Sequence, residues 1–78
     1  MFYFNCGKHS ISSVNNGGQI IVLDDKSKWK VSLFDKFTSI MWSINDKVTV
    51  KSNIGSKFTI ERQTISGKIE KIEATYLG

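Results

Sequence analysis

Polar and apolar residues alternate with a period of two in several short segments of this 78-residue chain. That period sets successive side chains on opposite faces of a β-strand. The clearest case is Lys28 to Leu33, where Trp29, Val31 and Leu33 share one face and Lys28, Lys30 and Ser32 the other. Lys47 to Lys51 turns Val48 and Val50 inward and Lys47, Thr49 and Lys51 outward. Lys57 to Arg62 points Phe58 and Ile60 inward, and Lys71 to Leu77 sets Ile72, Ala74 and Tyr76 on one face. Ile69 is out of phase with that last set, so a bulge or turn is expected near Ser66 to Glu70. Ile11 to Val14 makes a further short strand. Gln19 to Leu23 carries the run IIVL, suited to burial on both faces.

The connections follow from what the chain lacks. It has no proline, so turns fall to Gly, Asn, Asp and Ser: Asn15 to Gly18, Asp24 to Ser27, Asn45-Asp46, Ser52 to Ser56 and Ser66-Gly67. Phe34 to Ile44 is different. Phe37, Ile40 and Met41 stand at helical spacing with Asp35 as a candidate N-cap. This predicts one short helical turn near 35–41 that pins Phe34, Phe37 and Trp42 to the core. The sum is an all-β chain of five to six short antiparallel strands, expected to curl into a small barrel, SH3-like or OB-like. It forms one domain over 1–78, with 1–9 expected as a loosely packed N-terminal segment.

Composition narrows the picture. With 40% hydrophobic and 23% charged residues the chain is globular rather than disordered, and its length sits near the lower end for a single unaided core. One cysteine, Cys6, excludes an intrachain disulfide. No apolar run reaches the 18 or so residues of a membrane-spanning helix, so no transmembrane segment is expected. The opening MFYFNCGK lacks the basic start of an export signal. The expected location is cytoplasmic as the chain stands, or extracytoplasmic if a leader has been lost. The net charge of +4 comes from lysines and arginines spread along the chain, which favours acidic partners only weakly.

The tract IIVLDDKSKWKVSLFDKFTSIMWSINDKVTV, with the closing Ala74-Thr75-Tyr76-Leu77-Gly78, resembles a family of small uncharacterised bacterial proteins. Their pattern runs from an apolar strand through Asp-Gly-Ser-x-Trp to Trp-x-x-Gly-Asp-x-Val. Asp25, Ser27, Trp29, Asp35, Trp42, Asp46 and Val48 match it, over roughly residues 18 to 78. Lys26 and Asn45 stand where the pattern has glycine. The resemblance implies a fold rather than an activity, and similar proteins often carry an export signal.

Candidate chemistry is sparse. Cys6 and His9 are the only residues of their kinds, and a metal site needs more ligands than this pair; no metal or cofactor is expected. Asp24, Asp25, Asp35 and Asp46 each stand where a turn or cap uses a short acceptor. Gly7-Lys8 and Gly67-Lys68 lack the upstream glycine and following Ser or Thr of a phosphate loop. The residues open to binding are Lys28, Lys30, Lys47, Lys51 and Lys57, which a barrel could line up along a phosphate backbone, and Trp42, expected to be more exposed than the core residue Trp29. The chain is therefore expected to be no enzyme. It reads as a protein-interaction or structural module, with a protein partner or a second copy docking on an edge strand. The alternatives are a nucleic-acid-binding barrel using the lysines, or a small exported envelope or host-directed protein.

Overall fold

The computed structural model of the chain describes residues 3–53 and 57–78; the part of the expected Ser52 to Ser56 turn at 54–56, and the first two residues of the opening segment, lie outside them. Six strands, β1 (Gly7–Asn15), β2 (Ile20–Leu23), β3 (Lys28–Val31), β4 (Lys47–Ser52), β5 (Lys57–Gln63) and β6 (Ile69–Tyr76), and one short helix, α1 (Lys36–Ser39), make up the fold. All strand pairs are antiparallel, and the order β1-β2-β3-β6-β5-β4 closes on itself. The all-β barrel expected from alternation is what the chain forms.

β1 is the strand that allows closure. Its first half pairs with β4 (Gly7 opposite Val50, Ser10 opposite Lys47) and its second half with β2 (Ile11 opposite Leu23, Asn15 opposite Ile20). The register shifts between Ile11 and Ser13, an irregularity of the kind that bends a strand from one partner to the next. At the other seam β3 meets β6, with Trp29 opposite Tyr76 and Val31 opposite Ala74. Closure is partial along the strands: residues 69–72 of β6 have no partner on the β3 side, and residues 13–15 of β1 have none on the β4 side.

Inward residues fill the barrel as their period requires. Ile11, Ile21, Leu23, Trp29, Val31, Val50, Ile60 and Ile72 are almost wholly shielded from solvent. Val48 and Val50 point in while Lys47 and Lys51 point out, and the turn before β6 releases Ile69 to the outside. β2 alternates rather than being buried on both faces: Ile21 and Leu23 are inside, Ile20 and Val22 half-exposed. In the opening segment Tyr3 and His9 are buried, whereas Phe4, Asn5 and Cys6 are exposed. Tyr3 lies edge-on to Trp29 with ring centroids 4.8 Å apart, and it touches Phe58 and Tyr76. These four aromatic rings close one end of the barrel by edge and tilted contacts.

Between β3 and β4 the chain forms the expected helical turn, but its faces are reversed. β3 ends at Val31, so Leu33 leaves the inward set and is exposed. Phe34 is 93% exposed and Phe37 72%, whereas Trp42 is buried. Asp35 stands at the N-cap position, yet makes no side-chain cap. Its carboxylate accepts from the Glu73 backbone N–H at 2.9 Å, tying the connector to β6.

Candidate functional site

Two polar networks and one apolar face stand out against this frame. The first network grows from the turn between β2 and β3. Leu23 N–H donates to Ser27 O and Lys26 N–H to Leu23 O, at 3.0 and 2.9 Å. The result is a three-residue hairpin loop whose third residue, Lys26, lies in the left-handed region at φ 68°. Asp25 closes the loop by accepting from the Ser27 backbone N–H and hydroxyl, and the Trp29 indole N–H donates to the Ser27 Oγ at 2.9 Å.

His9 on β1 joins this turn. Its Nδ1 lies 2.7 Å from Asp24 Oδ1, and its Nε2 lies 2.6 Å from the Asn5 carbonyl and 3.0 Å from the Tyr3 hydroxyl. The Tyr3 hydroxyl donates to Asp25 Oδ2 at 2.6 Å, which also accepts from the Asn5 side-chain amide. A carboxylate and a carbonyl only accept, so the protonated ring, donating from both nitrogens, satisfies both partners. Burial alone would lower its pKa; the bond to Asn5, the bond to Asp24 and the two carboxylate charges outweigh that and hold it above the ordinary value. The Asp24 carboxyl is lowered, chiefly by the bond from His9. Burial acts to raise Asp25, but the bonds from Ser27, Tyr3 and Asn5 prevail and hold it far below the carboxylate range. Tyr3 is raised by burial and by its bond to Asp25.

The donor atoms of His9, Asp24 and Asp25 lie within 4.8 Å of one another, a spacing that fits a metal ion. Holding an ion there would require the His9 ring to lose a proton and give up one of its present bonds. Cys6, three residues before His9, is exposed. The cluster is a latch that fastens the N-terminal segment and β1 to the β2–β3 turn.

The second network holds the connector down. The Trp42 indole N–H donates to Glu70 Oε1 at 3.0 Å; Arg62 binds the same oxygen at 2.7 Å and Asp46 at 2.9 Å, and its guanidinium sits over the Trp42 ring. Hydrogen bonds from Arg62 and Trp42 hold the Glu70 carboxyl below its ordinary value. Trp42 is therefore an anchor rather than the partly exposed binding residue expected.

The lysines come together only in part. Lys30 and Lys57 both lie opposite Thr75 in register, one on each side of β6. They flank a shallow groove of about 190 Å³ with Glu73 between them. Lys57 pairs with Glu73 at 2.9 Å and Lys51 with Glu61 at 3.1 Å. Lys47 donates to Ser10 Oγ at the opposite end of β4 from Lys51. Lys28 and Lys30 form no ion pair among the described residues. Acidic side chains thus interrupt the row that the strand faces suggested.

The feature the sequence reading missed is the outer face of the connector. Leu33, Phe34, Phe37, Ile40, Met41 and Ile44 are all exposed. They lie in and on either side of the single helical turn Lys36–Ser39. The opposite side carries Asp35, Ser39 and Trp42, and it faces the barrel. Ser39 is fully buried, and its hydroxyl donates to Gly18 O at 2.5 Å. A Cβ on Gly18 would stand 2.6 Å from Lys36 O, so the connector backbone rests directly on the turn between β1 and β2. The helical stripe was legible; its direction was not, because an amphipathic stripe ordinarily faces the core.

Neither protein-family models, nor curated proteins, nor solved structures give a match to the chain.

Proposed function

We propose that the protein is a non-enzymatic binding module: a rigid barrel that presents the apolar face of its β3–β4 connector to a protein partner. The observation that carries this reading is the inverted connector. Exposed apolar side chains scattered singly need no explanation, but a contiguous group of this kind marks an interaction surface. Phe34, at 93% exposed, and Phe37 and Met41, each at 72%, stand out from a backbone anchored at Asp35, Ser39 and Trp42. A surface held this firmly is pre-organised for binding, which reduces the ordering cost of association.

The non-enzymatic part rests on the polar networks. Among the described residues, His9, Asp24, Asp25, Asp46, Arg62 and Glu70 are engaged with one another or with neighbouring groups by hydrogen bonds. The nucleic-acid alternative has less support, since Lys51 and Lys57 are paired with carboxylates. An exported role draws on the family resemblance alone. As to barrel type, the pairing of β1 with both β2 and β4, and the helical turn between the third and fourth strands, favour the OB-like over the SH3-like reading.

Site-specific photo-crosslinking in the native cells tests the reading. A photoreactive phenylalanine analogue at position 37 is expected to give protein adducts, and the same analogue at position 51 on the lysine face none. Adducts at position 51 but not at 37, or no protein adduct at either, would overturn it.

A further inference from the structure

We infer that the partner on the connector face is a second copy of this chain, packed across a two-fold axis so that the helical turn of one protomer lies against that of the other. The inference rests on the binding-module reading and specifies its partner.

Three observations lead to it. The first is area. Two phenylalanines, a methionine, a leucine and two isoleucines, all exposed, present on the order of 700 Å². That is close to the ~800 Å² each partner contributes to a standard interface. The second is charge. Between residues 33 and 44 the only charged side chains are Asp35 and Lys36, adjacent, opposite in sign and half-buried. Asp35 is turned toward β6, and the Lys36 Nζ lies over the Phe37 ring at 5.3 Å. The face is therefore without net charge, and two copies meet with no like-charge conflict even though each carries +4 overall. A face built for an anionic bilayer would instead set lysines among its apolar residues. A transient hetero-partner face is about as polar as ordinary surface, whereas interfaces between identical chains are the more apolar class.

The third is shape. The exposed residues project from the single helical turn Lys36–Ser39 and the turns on either side of it, as Phe34, Phe37 and Met41 do, so two such projections can pack against each other. A two-fold interface requires one patch to be complementary to itself, and an uncharged apolar ridge meets that condition.

Sedimentation of the purified chain from about 10 µM to about 1 mM at physiological salt tests the inference, because a dimer of this kind dissociates by mass action. The expected result is a species of twice the 8.8 kDa chain mass that gives way to monomer on dilution. Phe37→Asp removes it, with a dissociation constant raised at least tenfold and the circular dichroism of the barrel unchanged, since Phe37 is exposed. Lys51→Ser, away from the face, leaves it intact. Mixing Phe37→Asp with Phe37→Lys restores a heterodimer. A wild-type chain that stays at the monomer mass throughout overturns the inference, as does a Phe37→Asp dimer of undiminished affinity. Monomeric behaviour together with protein adducts of another mass at position 37 would reject the second copy and keep the binding module. Monomeric behaviour with co-sedimentation on phosphatidylserine vesicles would reject both and assign the face to lipid.

Discussion

Lys26 holds the left-handed position of the β2–β3 loop, at φ 68°, where a side chain beyond Cα is a cost. A non-glycine residue there is disfavoured by about 1–2 kcal/mol relative to its preferred regions. Glycine removes that penalty but adds roughly 0.5–1 kcal/mol of freedom to the unfolded chain. Lys26→Gly is therefore expected to stabilise the domain by about 0.5–1 kcal/mol. With a specific entropy of unfolding ordinary for a chain this size, the melting temperature should rise by about 3–6 °C. In urea the midpoint should move up by about 0.5–1 M for a slope near 1 kcal/mol/M. The control is Lys26→Ala. It removes the same exposed amine beside Asp24 and Asp25 but keeps the strained backbone, so it should leave stability within about 0.5 kcal/mol of the parent. Thermal and urea melts of the three proteins, each followed by tryptophan fluorescence from the buried Trp29, decide the matter. Equal stability of the glycine and alanine variants would refute the strain argument and place any gain in charge or side-chain entropy.

Other expectations can be checked on the same preparation. Trp29→Ala should cost about 3–5 kcal/mol, a large share of the stability of so small a domain, and an equilibrium melt that moves by less than about 1 kcal/mol would deny Trp29 its place in the core. The latch makes stability depend on pH in both directions. The raised His9 pKa contributes stability that is fully present below the ordinary imidazole value of 6.5 and is lost as pH climbs through the folded value. The lowered Asp24 and Asp25 contribute stability present above the ordinary 3.8 and lost as pH falls through their folded values. Thermal midpoints should thus be highest between about pH 4 and 6.5, and His9→Gln should flatten the alkaline limb; an unchanged limb would show that His9 is not charged. Single- and double-stranded oligonucleotides at physiological salt should leave the amide resonances of residues 28, 30, 47, 51 and 57 in place, and shifts there that persist at that salt would restore the nucleic-acid reading.

The strands were legible because alternation reports directly on which side of a pleat faces the core. Val48, Val50, Ile60 and Ile72 are where their phase set them. Lys26 and Asn45 are both left-handed, at φ 68° and 73°, and neither a lysine nor an asparagine declares that conformation by itself. Closure was not legible, since it depends on a register shift in β1 that no local composition announces. The latch was hidden for a related reason. His9, Asp24 and Asp25 are separated by an intervening turn, and each had a local role to account for it. Only the pairing of β1 with β2 puts them side by side. The connector misled because periodicity gives a stripe without a direction. Asp35, Ser39 and Trp42 point inward because β6, Gly18 and Glu70 offer them partners, and that leaves the phenylalanines outside.

The way β1 divides itself between two partners also bears on how the chain reaches its native state. β1-β2-β3 and β4-β5-β6 are each a run of hairpins between sequence neighbours, and such local pairs form within microseconds. The two seams that unite them, β1 with β4 and β3 with β6, join segments far apart in sequence and come at the expense of loop entropy. Folding is then expected to be limited by the meeting of two preformed halves, on the millisecond-to-second scale of non-local β topologies. Until they meet, β1, β3, β4 and β6 each have a side open to pairing. The interval before closure, rather than the finished barrel, is when this chain is most exposed to pairing with the wrong neighbour.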